Sequence, residues 1–264
     1  MSEGLVINQR QGLGNDGTQI GVQNNFGLTV TDAVNMSFEI FKQYYPKLRD
    51  ELLAELNILV SDKLSCIPQE NIVYPKASIV VPTLQYASIT EEEDVRELYA
   101  NLLANSMNEV VKDGVHPGFV EIIKQLSPDE AKILRYMNLH PTIPTVTLRY
   151  VNDDGGGVNI INNFSIVGDI AGCENPQDVA KYFDNLVRLG LVTDVKGMSS
   201  FTDKTIYEPL KHHSRMTPYA SKARAKARGF IDFKFDESFI EISEYGKSFC
   251  SICLNTHGII NSDT

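Results

Sequence analysis

Cys250 and Cys253 are the nearest this chain comes to a reactive pair. A C-x-x-C dithiol does redox chemistry when one thiol sits at a helix N-terminus that lowers its pKa. Here the pair falls late in an apolar run, Tyr245 to Leu254, that reads as a helix, so buried inert thiols are expected. With Cys66 and Cys173 they are scattered, the pattern of reduced thiols rather than of a disulfide framework. His212-His213 offers two imidazoles, but adjacent histidines seldom converge on one ion and no third ligand is evident. Asp153-Asp154-Gly155-Gly156-Gly157 reads as a hairpin tip, with two carboxylates and no third ligand for a cation. Glu91 to Asp94 reads as the acidic first turn of a helix, favourable at the positive end of its dipole. Gly12-Leu13-Gly14-Asn15-Asp16-Gly17 imitates a dinucleotide fingerprint without the strand and helix that such a loop must join. No nucleophile has a base beside it. Catalytic, cofactor-binding and metal-ligating residues are therefore all assigned as none.

Two stretches are patterned for binding instead. Residues 204–234 hold eight basic side chains against Glu208 and Asp232, a net charge of +6 inside a protein of net −10. Lys211, Arg215, Lys222, Arg224, Lys226 and Arg228 form a candidate patch for phosphate or an acidic partner, to be weighed against a solvated insertion that offsets the acidic first half. As a strand, K-A-R-A-K-A-R would put its four charges on one side; as a helix they would spread around the axis. The second stretch is N-terminal. Residues 1–28 are rich in Gly, Asn and Gln, with only Glu3, Arg10 and Asp16 charged. Within them, Gln19, Ile20, Gly21, Val22, Asn24 and Asn25 are candidates for self-association. Such residues can stack in register, the amides forming ladders along the stack. The segment resembles the core of RIP homotypic interaction motifs and of bacterial amyloid-signalling motifs. The alternatives are a flexible polar tail or a lone hairpin.

The elements that must position these stretches are mostly helical. The chain has 264 residues, 42% apolar and 22% charged, enough to bury a sizeable core. No run of 18 apolar residues and no cationic-then-apolar start is present, so neither a membrane span nor a secretory signal is expected, and a cytoplasmic protein is. Three capping boxes are predicted, at Thr29–Asp32, Thr90–Glu93 and Ser127–Glu130, the last with Pro128 at the first helical position. The first helix buries Val34, Phe38, Phe41 and Tyr45 before Pro46 breaks it, and Lys47 to Leu64 forms the second. Pro82 is expected to begin a short helix. Val95, Leu98, Tyr99, Leu102, Leu103 and Met107 recur at helical steps, as do Phe119, Ile122, Ile123 and Leu126 after the stop at Gly114 and His116-Pro117.

Beyond the Ser127 helix, T-V-T-L-R-Y-V alternates as a strand and Val158 to Ile161 returns. Phe164 to Ala171 reads as a short helix. A second helix, capped by Asn175, turns Val179, Tyr182, Phe183, Leu186 and Val187 inward and ends at Gly190. Leu191 to Val195 and Phe239 to Ile242 are strands. That order reads as a winged helix-turn-helix. Its recognition-type helix would expose Asp178, Lys181, Asp184 and Arg188, a mixed face rather than the set that reads bases or phosphates.

The strongest pattern lies from Val95 to Leu134: V-R-E-L-Y-A-N-L-L-A-N-S-M, then V-H-P-G-F-V-E-I-I-K-Q-L-S-P-D-E-A-K-I-L. It resembles the abortive-infection alpha family of bacterial and phage proteins. The resemblance implies a link to phage defence and brings no catalytic motif with it. The expected fold is mainly α (α+β): an N-terminal β-type assembly segment (1–28), a helical domain (29–125), and a winged-helix-like domain (126–264) with a basic insertion. The expected function is a non-enzymatic defence or interaction protein that forms a homo-oligomer and has a protein partner from the defence system or the phage. The rivals are a DNA-binding regulator and a hydrolase with an unrecognised site. Nucleic-acid binding is disfavoured by the net charge.

Overall fold

The computed structural model describes residues 29–44 and 50–255. The helical body opens with α1 (Val30–Tyr44), α2 (Asp50–Ser65) and α3 (Ala77–Ala87), followed by α4 (Glu93–Ser106), α5 (Gly118–Ile123) and α6 (Pro128–Leu139). A hairpin of β1 (Thr142–Val151) and β2 (Gly157–Phe164) leads to α7 (Val167–Ile170) and α8 (Val179–Arg188). Then come β3 (Val192–Asp194), an insertion with α9 (Glu208–Lys211) and α10 (Lys222–Ala227), the long β4 (Asp232–Ile242) and α11 (Glu244–Cys253). The protein is mainly helical with one four-stranded antiparallel sheet, ordered β2-β1-β4-β3.

Local chemistry starts α1 and α6. The Thr29 N–H donates to the Asp32 carboxylate at 3.2 Å, and the Asp32 N–H donates to the Thr29 hydroxyl at 3.1 Å. At α6, Ser127 and Glu130 exchange the same pair of bonds. Thr90 departs from expectation. Its hydroxyl donates back to the Tyr86 carbonyl at 2.8 Å, closing the end of α3, and α4 starts at Glu93 with Glu92 as its cap. The hydroxyl can serve one helix end, and it joins the Ile89 N–H on the Tyr86 carbonyl in the closing turn of α3. Pro82 also departs: it lies inside α3, which begins at Ala77. Ile79 and Val80 are buried before it and Thr83 and Leu84 after it, so packing on both sides outweighs the lost N–H. The expected burial of Tyr45 and the break at Pro46 lie outside the described residues.

α4 is the axis of the body, packed against α2, α3, α5, α6 and α11. All six of its predicted inward residues, Val95 to Met107, are buried, as are Phe119, Ile122, Ile123 and Leu126. One apolar core runs from Ala33 in α1 to Cys253 in α11. A second, smaller core lies between the sheet and the insertion: Val146, Leu148 and Tyr150 of β1 meet Tyr207, Leu210 and Met216. The insertion is therefore a folded layer with its own apolar side.

The hairpin strands differ from expectation in length. β2 runs on to Phe164, so the following helix shrinks to Val167–Ile170. The predicted Phe239–Ile242 strand is the end of β4, whose whole length pairs with β1 from Thr142↔Glu241 to Val151↔Asp232. Ten paired residues of backbone ladder hold a segment whose charges hid it. Val187, expected inward, is 40% exposed, because α8 is already near its end there. Gly190, at φ +74°, closes that end as predicted. The sheet is curled enough that its two edge strands meet through side chains: Asn163 of β2 donates to Asp194 of β3 at 2.8 Å.

Candidate functional site

A cleft of about 700 Å³ opens where β2, the start of α8 and the insertion converge. Its floor comes from a distorted strand. Between Arg149↔Asn159 and Leu148↔Ile161 β2 carries one extra residue, and between Leu148↔Ile161 and Val146↔Phe164 it carries another. A regular strand alternates its side chains between faces. These two bulges instead bring Ile160, Ile161, Asn162 and Phe164 to one opening. Asn163 between them has φ +42°, and its N–H donates to the Thr147 hydroxyl at 3.2 Å. The α8 wall rests on Gly168: a Cβ there would lie 2.5 Å from Val179 and 2.9 Å from Pro176, so a side chain would push the start of α8 away.

The insertion supplies two guanidinium groups to this cleft, Arg215 and Arg228. Arg215 pairs with Asp169 of α7 and lies over the Phe164 ring, 5.4 Å from its centroid. The Phe164 ring in turn meets His213 at 5.2 Å, and the Arg215 N–H donates to His213 Nδ1 at 3.1 Å. The Arg215 guanidinium is thus held by Asp169 and the Phe164 ring, and its backbone N–H by His213. Arg228 caps the C-terminal end of α10, is exposed, and forms no ion pair among the described residues. Asn162 Oδ1 accepts from Asn159 at 2.8 Å and from Lys196 at 3.4 Å. Ser165 Oγ accepts from the Val167 N–H at 3.3 Å.

The six predicted cations do not form one patch. Lys211 is held by Glu208 at 2.8 Å and Glu237 at 2.7 Å. Those two bonds raise its pKa, and burial opposes them more weakly. Burial alone would push the Glu237 carboxyl up, but its bonds to Lys211 and Lys204 bring it below the usual range. Lys222 pairs with Asp232 at 2.9 Å. Arg224, Lys226 and Arg228 remain exposed. K-A-R-A-K-A-R is helical, started by the Ser221 hydroxyl, so its charges divide. Residues four apart share a helix side. Lys222 and Lys226 therefore lie on one side with Asp232, and Arg224 and Arg228 on the other, with buried Ala225 holding the turn to the second core. The candidate self-association residues Gln19 to Asn25 lie outside the described residues.

Sequence reasoning missed a set of buried polar groups. Asp129 of α6 accepts from the N–H groups of Glu174 and Asn175 at 2.7 and 2.9 Å and from the Tyr182 hydroxyl at 2.7 Å. Burial pushes its carboxyl up, but these three donors and Lys132 hold it below the usual range. Beside it, Glu130 accepts from Asn185 of α8 at 2.7 Å. This pair of acids fixes α8, and hence one wall of the cleft, to α6. The available signal was the acidic pair Asp129-Glu130 at the α6 N-terminus, which also fits an ordinary capped helix. Burial works against thiolate formation at three of the thiols: it pushes Cys250 up to about 12 and Cys173 to about 11, and it raises Cys253 well above its ordinary value. Among the described residues no group of three His, Cys, Asp or Glu side chains is placed to hold a metal ion. Among them, too, no helix is long and apolar enough to cross a membrane.

Residues 48–253 match the model of one protein family, abortive infection alpha. No curated protein matches the chain. A solved structure of an uncharacterized protein from the hydrocarbon-degrading marine bacterium Alcanivorax borkumensis SK2 is similar at 21% identity, covering 52% of this chain and 92% of that one, with a TM-score of 0.37.

Proposed function

The chain belongs to the abortive infection alpha family, and we propose that it serves an abortive-infection defence role as a non-enzymatic interaction protein that self-associates through its N-terminal segment. One observation carries the interaction reading. α10 is a short helix anchored by Ala225, with Arg224, Lys226 and Arg228 directed to solvent and free of ion pairs among the described residues. An otherwise acidic molecule thus presents a rigid cationic projection. A helix that spends stability on exposed like charges suits an acidic protein partner, since the desolvation of three guanidinium and ammonium groups is repaid by opposing carboxylates. Self-association rests on residues 17–30, which carry no charge and alternate Ile20 and Val22 with Gly and Gln.

The experiment is the solution mass of the full chain beside a chain lacking residues 1–28. A discrete oligomer for the first and a monomer for the second support the reading. A monomeric full chain at tens of micromolar defeats the self-association part.

The β1-β4-β3 order, with α8 leading into β3, favours a second reading as a winged helix. In such a module the β3–β4 connection is the wing, and here that connection carries α10. The α8 face argues for a protein rather than a DNA partner. Lys181 pairs with Asp178 at 2.9 Å, Asp184 stands beside them, and Arg188 is tied to Gln125 and Asn185. No unspent donor set remains on α8 for base edges or phosphates.

A further inference from the structure

The cleft between β2, α8 and the insertion has features that the interaction reading does not use. It is concave, about 700 Å³, within the range that takes small ligands. Its floor is apolar through Ile160 and Ile161, and Val179, Pro218 and Tyr219 continue the apolar lining. Two guanidinium groups stand at the opening, and among the described residues that line the cleft none is a carboxylate. From this geometry we infer that the cleft is a binding site for a small amphipathic anion, an apolar body bearing one carboxylate or phosphate group, with Arg215 and Arg228 as the head-group clamp.

Each part of the cleft is built at a cost. The two bulges of β2 give up ladder pairing. Asn163 holds a left-handed backbone that an ordinary residue avoids. Strain of this kind persists where neighbours hold it in place and is concentrated at ligand sites. Here its result is that four side chains of one strand segment face one opening. Arg215 is preorganised. The Phe164 ring lies beneath its guanidinium, 5.4 Å from ring centroid to Cζ, and Asp169 engages only part of a fork that has five N–H donors. Arg215 lines the cleft and its side chain stays 28% exposed, so donors beyond the one held by Asp169 remain for a ligand. Arg228 is the exposed arm: it projects from the end of a helix anchored by Ala225 and by the Phe230 N–H bond to the Ala225 carbonyl at 3.0 Å. Two Arg forks match the planar oxygen pairs of a carboxylate or phosphate, which a lysine would meet only as a point charge. The apolar floor supplies the rest of the affinity, so a bare anion binds poorly and an amphipathic one well.

The probe is anilinonaphthalene sulfonate, an apolar body with one anionic group, whose fluorescence rises on transfer from water. It is titrated into the full chain. The expected result is saturable binding at one site per chain. Arg228→Gln weakens it about ten- to a hundredfold, the value of one charge-assisted hydrogen-bonded contact. Lys226→Gln, an equal charge loss on the other side of α10, changes it less than about twofold, because exposed charges at a distance are screened. Ala180→Trp, which fills the α8 wall, abolishes it while the circular dichroism spectrum stays that of the parent. Octanoate and AMP are then tested as competitors. Displacement by octanoate assigns a carboxylate ligand and displacement by AMP a phosphate ligand. Equal weakening by Lys226→Gln and Arg228→Gln overturns the proposal, because it makes the binding general charge attraction. So does unchanged binding in Arg228→Gln, or competition by inorganic phosphate as strong as by both amphipathic anions. None of these readouts depends on oligomeric state, so this site can fail while the self-association reading holds, and the reverse.

Discussion

Asn105 in the middle of the helical body donates its side-chain amide to the Ile252 carbonyl at 2.7 Å, joining residues 147 positions apart. The same amide reaches the Asn255 carbonyl at 2.7 Å, and Asn101, one turn earlier on α4, donates to the Cys253 carbonyl at 2.9 Å. A helix leaves its last carbonyls without partners. Those of α11 are buried beside α4, where water does not reach them. Two asparagines one turn apart therefore cap a helix from another part of the chain.

Asn105→Ala should for this reason lower stability by about 1–3 kcal/mol, the cost of leaving buried acceptors unsatisfied. Asn105→Asp should do at least as much harm, because a carboxylate brings acceptors to acceptors. Urea denaturation followed by far-ultraviolet circular dichroism measures both. A loss in Asn105→Ala below a few tenths of a kcal/mol would show that α11 finds its partners elsewhere.

Asp129 makes stability depend on pH in a defined direction. Its folded pKa lies below the usual carboxylate value of 3.8, since three donors and Lys132 outweigh its burial. A group with a depressed folded pKa binds fewer protons folded than unfolded. Its contribution is therefore complete above about 3.8 and is lost as pH falls from there through the folded value. The denaturation midpoint of the parent should drop steeply below that pH. Asp129→Asn should start lower at neutral pH and drop less steeply. Equal slopes in the two proteins would remove Asp129 as the acid-sensitive group.

These two predictions concern residues that a linear reading passed over, and the reason is physical. The Thr29–Asp32 and Ser127–Glu130 boxes close within four residues, so both partners sit in one glance of sequence. Asn101, Asn105 and Asp129 are matched to carbonyls, amides and a hydroxyl 45 to 152 residues away, and no local pattern encodes such a partner. Thr90 shows the converse: a local motif whose hydroxyl is taken by the Tyr86 carbonyl on its other side. The floor of the cleft was illegible for another reason. Val158 to Phe164 predicts a strand, but an extra residue in a strand is visible only against its partner's register.

Leu102 tests the part that was legible. It lies at the three- and four-residue recurrence of α4 and is 0% exposed in the core. Leu102→Ala should cost about 2–5 kcal/mol, the transfer term plus the cavity left behind. Thermal and urea unfolding give the value. A cost well under about 1 kcal/mol would mean that neighbouring helices collapse into the space.

The last prediction concerns nucleic acid. The winged-helix reading proposed above invites the expectation of DNA binding, with α10 in the position of the wing. The charge ledger of the folded chain argues otherwise. Of the cations in the basic stretch, Lys204, Lys211, Arg215, Lys222 and Lys234 are already paired with Glu237, Glu208, Asp169, Asp232 and Asp236. Arg224, Lys226 and Arg228 of α10 form no ion pair among the described residues, and the whole molecule carries −10. Three phosphate contacts release about three counterions, giving a shallow salt dependence and weak affinity at about 150 mM salt. Repulsion from the acidic remainder weakens it further. Fluorescence anisotropy with duplex DNA should therefore give affinity no tighter than tens of micromolar at about 150 mM salt, in the range of non-specific binding. The slope of log affinity against log salt should be near −3, and Arg224→Gln with Lys226→Gln and Arg228→Gln should flatten it. Submicromolar binding that this triple change abolishes would overturn the protein-partner reading and make the wing a DNA contact. Submicromolar binding that survives the change would move the contact off α10 to another face.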